Sequence, residues 1–483
     1  MCGVLLVRSV QAMPQQRHEP ALEILRRRGP DLTVQCWVTP GVFVAQTVLH
    51  ITGTDQFYHS EKSKGFAYNG EIYDYRWYGN YDNDVELAFH AAHARPRNFQ
   101  HFEGTWAWVY ADQDQLLWAS DPQGEKSLYM YHSLDLTVVS SDVAAVLCYI
   151  DPKIDPVPYQ NKCWTMIDQT PWSGIVRCEP GRLYRDGKPA ELIDSVWQWV
   201  TDTNLCSEQQ VQEQFEWLWD RNIGLIRSQQ PANISFSGGL DSSVIAASMP
   251  GLEPVTVDAV GKDPVVTQLR NAKISVDPES WAHYYRTMIE HTRMPAQSWS
   301  FVGKWLVAQH SQHRIVYTGL AADELFGGYA HHQNLNAADI WIASPYCEHD
   351  HNNLWHRCLD LYHGDARQAT LLMDYWYQVV GVDAPGLDRL GGLWGKETRN
   401  PFMMPSMIKF ALNLPWDVKV NKQLIRRLYK KISGQDYVQP KMGFAGHAND
   451  SAPWLGVNTV STGNRYRDWQ QIAQQTFYEY CQA

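Results

Sequence analysis

The pattern of apolar residues changes once along the chain, near residues 196–207. Before this point, short alternating runs rich in aromatic and β-branched residues, such as 105–110, are separated by Gly, Pro, Asp and Asn. This pattern predicts an antiparallel, β-rich domain. After it, strand signals alternate with helical spacing, which indicates a parallel α/β sheet. A chain of 483 residues is long enough for both, and we predict domains at 2–196 and 207–483.

Individual elements follow from the same patterns. In the first domain we predict two helices, at 19–28 and 84–94, between strands at 41–49, 65–68, 105–110, 115–119, 134–140 and 174–184. In the second we predict a helix over 207–225 with Ser207 as its N-cap, a helix over 242–249, and strands at 233–236, 255–260 and 314–318. Beyond residue 338 the pattern is helical, apart from Gly/Pro-rich loops near 381–401.

Composition excludes several function classes. The net charge is −11, so a bulk basic groove for nucleic acid is not expected. No apolar run approaches the ~18 residues of a membrane helix, and residues 1–8 carry no basic leader of a signal peptide. The nine cysteines are scattered from Cys2 to Cys481 and do not resemble a disulfide framework. We therefore expect a cytoplasmic protein whose partners are small molecules.

Cys2 is the first candidate for chemistry. Removal of Met1 would make it the N-terminal residue, which then carries both a thiol nucleophile and an α-amine base. Taken alone, a cysteine at position 2 is most simply a chance occurrence. The motifs that follow it in order change that interpretation: Arg28-Gly29-Pro30-Asp31, Asn69-Gly70-Glu71-Ile72-Tyr73 and Asn83-Asp84.

This ordered set resembles the class II, N-terminal-nucleophile glutamine amidotransferase domain found in asparagine synthetases. The resemblance implies that Cys2 attacks the glutamine amide, with Asn69 and Gly70 forming an oxyanion hole. It implies glutamine contacts at Arg28, Asn69, Glu71 and Asp84. One position departs from the family: the arginine that usually holds the glutamine carboxylate is Val48 here. Either Arg28 or another cation replaces it, or glutamine binds more weakly.

A second motif lies between a predicted strand and a predicted helix. The loop Ser237-Gly238-Gly239-Leu240-Asp241-Ser242-Ser243 lacks the lysine of a Walker loop, but its backbone N–H groups and the helix N-terminus suit a phosphate. It resembles the pyrophosphate loop of ATP-pyrophosphatases, with Asp241 as a magnesium ligand. The resemblance implies ATP contacts at Ser235, Ser237, Gly238, Gly239, Asp241, Ser242, Val257 and Gly319.

Later motifs extend this resemblance to the asparagine synthetase family as a whole. Residues 317–329 contain Asp323, which matches the second magnesium carboxylate, and Gly395 to Phe402 and Lys422 to Arg426 match further family segments. Lys441 matches the lysine that stabilises the adenylated intermediate. Leu320 stands at the position where the family has a glutamate. A leucine side chain cannot accept a proton. With Val48, this makes the chain most similar to the divergent asparagine synthetase domain-containing branch.

The resemblance implies an α+β β-sandwich domain followed by an α/β ATP-pyrophosphatase domain with a helical C-terminal part. It implies glutamine-dependent, ATP- and Mg²⁺-dependent amidation of a carboxylate, with aspartate as the leading acceptor. Two alternatives stay open: another carboxylate, including ring closure of the β-lactam synthetase type, and a non-catalytic nucleotide-binding relative. The oligomeric state also stays open, with a homodimer as one option.

A Cys/His-rich segment offers metal-ligand types without a recognised spacing. It consists of Cys347, His349, His351, His356 and Cys358. In a helical region, residues two apart point to different faces. We therefore favour a segment without metal.

Overall fold

The protein is described here by a computed structural model. It covers residues 2–51, 64–151, 153–154, 167–201, 207–258, 273–296, 298, 300–333, 353–438, 451–456 and 465–482. Within these ranges, no helix combines the length and the apolar character needed to span a bilayer.

Two antiparallel sheets form the first domain. The strands are β1 (Gly3–Ser9), β2 (Leu32–Thr39), β3 (Val42–Val48), β4 (Gly65–Ile72), β5 (Gly104–Ala111), β6 (Leu116–Ser120), β7 (Tyr129–His132), β8 (Leu136–Ser140), β9 (Ile175–Arg177), β10 (Arg182–Arg185) and β11 (Lys188–Leu192). The orders are β2-β3-β1-β8-β7-β9 and β11-β10-β6-β5-β4. Apolar side chains of both sheets share one core, including Leu6, Val44, Val109 and Trp118. The predicted β-rich domain is therefore a sandwich.

Helices cover the outer faces of this sandwich. They are α1 (Glu19–Arg26), α2 (Asp84–Ala94) and α3 (Val143–Leu147), so both predicted helices are confirmed. Strand β5 is buried along its whole length, because Trp106 and Trp108 face a second core that Phe89 of α2 completes. The single strand predicted at 174–184 was wrong. It divides into β9 and β10, which belong to different sheets, because the chain turns at Gly181 with φ +75°.

The second domain is built on a parallel sheet. Its strands are β12 (Ala232–Ser235), β13 (Glu253–Asp258), β14 (Lys273–Ser275), β15 (Ile315–Tyr317) and β16 (Glu397–Arg399), in the order β14-β13-β12-β15-β16. Strand β12 lies at the centre, with β13 on one side and β15 on the other. The chain thus reverses its direction of winding at β12, and ligands of such sheets bind outside the carboxyl ends of the strands at this point.

Helices surround this sheet and form the rest of the domain. They are α4 (Glu208–Ile226), α5 (Leu240–Ser248), α6 (Pro278–Thr292), α7 (Phe301–His310), α8 (Ala322–Leu325), α9 (Leu354–Leu361), α10 (Ala366–Asp374), α11 (Ala384–Leu393), α12 (Pro405–Leu412), α13 (Trp416–Lys419), α14 (Gln423–Ser433), α15 (Ala452–Leu455) and α16 (Arg465–Gln482). Ser207 caps α4, as predicted, and the structure adds a capping box in which Ser207 exchanges hydrogen bonds with Gln210.

The loops predicted near 381–401 were wrong for most of that range. A π-helix spans Tyr375–Asp383 and continues into α11. Pro385 lies in the first turn of α11, where a missing N–H is tolerated. The glycines are explained by close packing: a Cβ at Gly386 would lie 2.3 Å from the Phe301 ring, and one at Gly392 2.6 Å from the Arg28 guanidinium. Tertiary contacts therefore determine that this segment is helical, and local propensity cannot predict them.

Candidate active sites

Cys2 lies at the edge of the sandwich, immediately before β1. Its backbone N–H donates to Asn69 Oδ1 at 2.7 Å, and its carbonyl accepts from Arg28 Nε at 3.2 Å. The next residue is fixed as well, because Gly3 N–H donates to Thr47 Oγ1 at 3.1 Å. Hydrogen bonds from three elements therefore position the half-buried Cys2 next to Asn69.

Asn69 and Gly70 lie side by side on β4. Asn69 is fully buried, and its Nδ2 has no hydrogen-bond partner within the described ranges. A buried donor without a partner is costly, and one beside a thiol suits the developing oxyanion of an attacked amide. Position 70 requires a glycine because the backbone of β5 lies very close to it. A Cβ at this position would lie 2.1 Å from the Thr105 carbonyl oxygen on β5.

Two carboxylates flank this pair. Asp84 begins α2, and its Oδ2 accepts from Ile72 N–H at 3.1 Å. Burial raises the pKa of Asp84 to about 6, although the Ile72 hydrogen bond opposes the rise. A ligand ammonium would supply the missing counter-charge. Glu71 instead forms an ion pair with Arg399 of the second domain, so its carboxylate is engaged across the domain boundary.

Arg28, the cation proposed to compensate for Val48, has a partner within the protein. Val48 ends β3, and the Arg28 guanidinium is 1% exposed and pairs with Asp388 Oδ2 on α11 at 2.6 Å. Lys126 also approaches Asp388, at 3.5 Å. Arg28 thus links the Cys2 carbonyl to the second domain, and its role as a ligand of the glutamine carboxylate stays a prediction.

The Ser237–Ser243 loop follows β12 at the point where the sheet reverses. Gly238 has φ +71°, a conformation that favours glycine. Ser237 Oγ accepts from Gly239 N–H at 3.2 Å, and Ser242 donates to Gly239 O at 3.0 Å. No side chain caps the N-terminus of α5, so its N–H groups face the crevice and can bind an anion.

Asp241 and Asp323 converge from separate elements, α5 and α8. Lys422 Nζ lies 2.6 Å from Asp241 Oδ2 and 2.7 Å from Asp323 Oδ1. Burial works to lower the pKa of Lys422, but the two carboxylates outweigh it and raise it. Sequence reasoning assigned both carboxylates but no such role to Lys422. Its signal was only a family match, because the lysine lies 181 residues from Asp241.

Two cavities open along this crevice. One, of about 280 Å³, is lined by Ser237, Asp241, Ser242, Val257, Gly319 and Asp323, among others. The other, of about 150 Å³, lies beside it and is lined in part by Leu320 of the β15 loop. The two share Ser235, Lys304 and Val307. Of the predicted ATP contacts, Ser235, Ser237, Asp241, Ser242, Val257 and Gly319 thus line one cavity.

Buried polar groups connect the two sites. Arg399 pairs with both Glu71 and Glu397. The next residue, Asn400, donates to Glu125 Oε2 of the first domain at 2.5 Å and accepts from Thr318 Oγ1 at 2.5 Å. Thr318 directly precedes Gly319 of the crevice. A continuous set of contacts therefore runs from β4, beside Asn69, to the loop after β15.

Some predicted site residues lie outside the described ranges, namely Lys441, Cys347, His349 and His351. The two described members of the Cys/His segment lie on α9, where His356 is exposed and Cys358 is buried. They point to different faces, as the spacing predicted.

A cluster that sequence reasoning missed lies on the second domain. His331 Nε2 and His332 Nε2 lie 2.6 and 2.8 Å from the same oxygen of Asp374. Burial works to raise the pKa of Asp374, but these hydrogen bonds lower it to about 2. His332 Nδ1 accepts from Tyr329 N–H at 3.4 Å, which leaves the proton on Nε2. We therefore interpret this cluster as hydrogen bonding, since a metal would need that nitrogen deprotonated.

Comparisons with known proteins give a family match for each half of the chain. A family model described as glutamine amidotransferase domain matches residues 1–192, and one described as asparagine synthase matches residues 224–456. The chain is similar to amidase chyE of Penicillium rubens, at 24% identity over 404 residues, covering 71% of this chain and 58% of the relative. It is also similar to asparagine synthetase B [glutamine-hydrolyzing] of Escherichia coli, at 26% identity over 268 residues, covering 51% and 44%.

The chain thus spans less than two thirds of either relative. A solved structure titled as the allosteric regulatory enzyme of purine biosynthesis matches at 13% identity with a TM-score of 0.31, covering 60% of this chain and 78% of that one. Similarity at that level carries no functional argument.

Proposed function

The chain belongs to the asparagine synthetase family with an N-terminal glutamine amidotransferase domain, and from this premise we propose that it transfers ammonia from glutamine to a carboxylate activated by ATP. The observation that carries the proposal is the convergence of Asp241 and Asp323 on one cation beside the uncapped N-terminus of α5. An acidic pair next to a phosphate-binding helix end suits a metal-bound polyphosphate.

The first half-reaction is the release of ammonia. Cys2, exposed by removal of Met1, attacks the glutamine amide and forms a thioester, and the α-amine shuttles the proton to the departing ammonia. The unpartnered Nδ2 of Asn69 and the Gly70 N–H stabilise the oxyanion, while Asp84 pairs with the glutamine α-ammonium. Water then hydrolyses the thioester to glutamate.

The second half-reaction joins ammonia to the acceptor. A carboxylate oxygen attacks the α-phosphorus of ATP, and pyrophosphate leaves. Ammonia then attacks the acyl carbon, AMP leaves, and a proton is lost as the amide forms. The Ser237–Ser243 loop holds the phosphates, and Lys441 offsets the developing negative charge.

Magnesium fits the acidic pair. Two carboxylates that already share one cation have the hard oxygen chemistry that Mg²⁺ prefers. Asp241 and Asp323 would hold it, and it would neutralise charge on the leaving pyrophosphate. With such an ion bound, Lys422 would be available to pair with a phosphate.

Ammonia passes between the sites inside the protein in this proposal. Arg28, which bonds the Cys2 carbonyl, packs against Gly392 of α11. The adjacent Gly391 lines the 150 Å³ cavity beside the nucleotide crevice. Residues 391 and 392 of α11 therefore lie next to both the surroundings of Cys2 and the nucleotide crevice.

The test is a product assay with glutamine, ATP, magnesium and a panel of carboxylates. Family membership makes aspartate the first acceptor to include. We expect AMP and pyrophosphate in the presence of an accepted carboxylate, resolved by chromatography, and their loss in Asp241→Asn. ADP and phosphate as products would contradict the proposal.

A further inference from the structure

The smaller of the two cavities has room for an acceptor. It shares Ser235, Lys304 and Val307 with the cavity that contains the phosphate loop. An acyl group bonded to the α-phosphate of a nucleotide in the larger cavity can therefore extend into the smaller one. Its volume, about 150 Å³, is that of an apolar cavity able to admit a benzene ring.

The wall of this cavity is mainly hydrocarbon. Its apolar members come from α7, β15, the loop after β15 and α11: Val307, Ala308, Val316, Leu320, Leu387 and Leu390. The remainder are Ser235, Thr318, Thr398, Gly391 and two lysines, Lys304 and Lys396. Within the described ranges the wall carries no carboxylate.

The described part of the wall offers no free carboxylate to an ammonium group. Lys304 Nζ pairs with Asp383 Oδ1 at 2.5 Å, and Gln378 donates to the other oxygen of Asp383 at 2.8 Å. Asp383 is thus already engaged. Burial and the nearby Arg314 lower the pKa of Lys396. An α-amino acid placed here would bury its ammonium against carbon and beside two basic groups, with no counter-charge from the described residues of the wall, which is costly.

We propose, on the basis of the proposed function, that the acceptor is a carboxylate with an apolar body of about six carbons and no ammonium group. Its carboxylate lies at the Ser235–Lys304 junction, where it meets the α-phosphate. Its body lies against Leu320 and Leu390. The reaction is the one above: phosphoryl attack with loss of pyrophosphate, then ammonia attack with loss of AMP.

The test is carboxylate-dependent exchange of labelled pyrophosphate into ATP by the full-length protein. Benzoate, hexanoate, acetate and aspartate are compared at matched concentrations, with a no-acid blank. We expect the kcat/KM for benzoate or hexanoate to exceed that for aspartate by about 10-fold or more. Acetate is expected to be weak, because it leaves the cavity unfilled.

Two variants locate the specificity. Leu320→Glu adds a carboxylate to the wall and is expected to lower exchange with the preferred apolar acid about 10-fold while raising that with aspartate. Its control is Leu134→Glu, at a side chain that is 94% exposed in the first domain. Ala308→Leu narrows the cavity without adding charge, and is expected to raise the KM for benzoate more than that for acetate.

Three outcomes would overturn the inference. Preference for aspartate over both apolar acids removes the acceptor class but leaves the proposed function intact. An Ala308→Leu protein that slows only glutamine-dependent amidation, with unchanged preference among acids, makes the cavity an ammonia passage. Exchange with no acid removes the inference and the proposed function together.

Discussion

The Cys2 site and the nucleotide crevice are organised in different ways. Around Cys2, hydrogen bonds between neighbouring strands fix the chain, and Asn69 is fully buried. In the crevice, charges decide the arrangement, because Lys422 holds two carboxylates that come from different elements. A site held by directed hydrogen bonds is sensitive to the loss of single atoms. A site held by charge is sensitive to which cation occupies it.

Antiparallel and parallel sheets account for this contrast. In the sandwich, β1, β3 and β4 bring residues 2, 47 and 69 together within one packed core. In the parallel sheet, the crevice forms where loops leave β12 and β15 in opposite directions. Its two carboxylates are only partly buried, and the buried Lys422 supplies their compensating charge.

The largest effect is expected from removal of the nucleophile. Cys2→Ala should lower glutamine hydrolysis by about 10⁴-fold or more, while ammonium chloride restores ATP-dependent amidation. The measurement is glutamate release alongside AMP formation. Cys36→Ala, at a half-buried thiol on β2, is the matched control. Full glutamine hydrolysis by Cys2→Ala would contradict the assignment of Cys2 as the nucleophile.

Loss of one donor should be nearly as severe in the hydrogen-bonded site. Asn69→Ala is expected to lower kcat for glutamine hydrolysis by about 10²–10³, or roughly 3–4 kcal/mol. The KM for ATP in ammonia-dependent amidation should stay unchanged, because the crevice does not use this donor. Equal losses in both reactions would show that Asn69 supports the fold and not the oxyanion.

The charge-held site should respond to magnesium instead. Lys422→Met leaves two partly buried carboxylates facing each other, which costs about 3 kcal/mol. We expect a lower Tm without magnesium and recovery on its addition, measured by thermal unfolding. Lys430→Met, at an exposed pair between α14 and Asp436 beyond its C-terminus, should change stability by less than about 0.5 kcal/mol. No magnesium response in Lys422→Met would contradict a metal site at this pair.

The smallest effect concerns pH. Since the pKa of Asp84 is raised to about 6 in the folded protein, ionised Asp84 opposes folding, and the penalty accumulates as pH rises from about 4 to 6. Asp84→Asn should therefore be more stable than wild type at pH 7 by about 1–3 kcal/mol, and not at pH 4. It should also bind glutamine more weakly. Asp82→Asn, on the exposed turn before α2, is the control, and equal stability at both pH values would refute the assignment.

Much of the fold could be predicted from local patterns. Strand alternation located β5 and β8, and Ser207 as a predicted N-cap located the start of α4. The π-helix at Tyr375–Asp383 and the helix α11 could not be predicted, because their glycines and proline have the composition of a loop. Packing against Phe301 and Arg28 stabilises them as helix.

For the candidate sites, the sequence by itself determined which residues are candidates for chemistry, since Cys2, Asn69, Asp84, Asp241 and Asp323 stand in short ordered motifs. Only the tertiary structure decided their partners: Arg28 with Asp388, Glu71 with Arg399, and Lys422 with both acidic residues of the crevice. The physical reason is separation along the chain. These pairs are up to 360 residues apart, and local propensity and spacing cannot predict a contact that forms only when distant segments pack together.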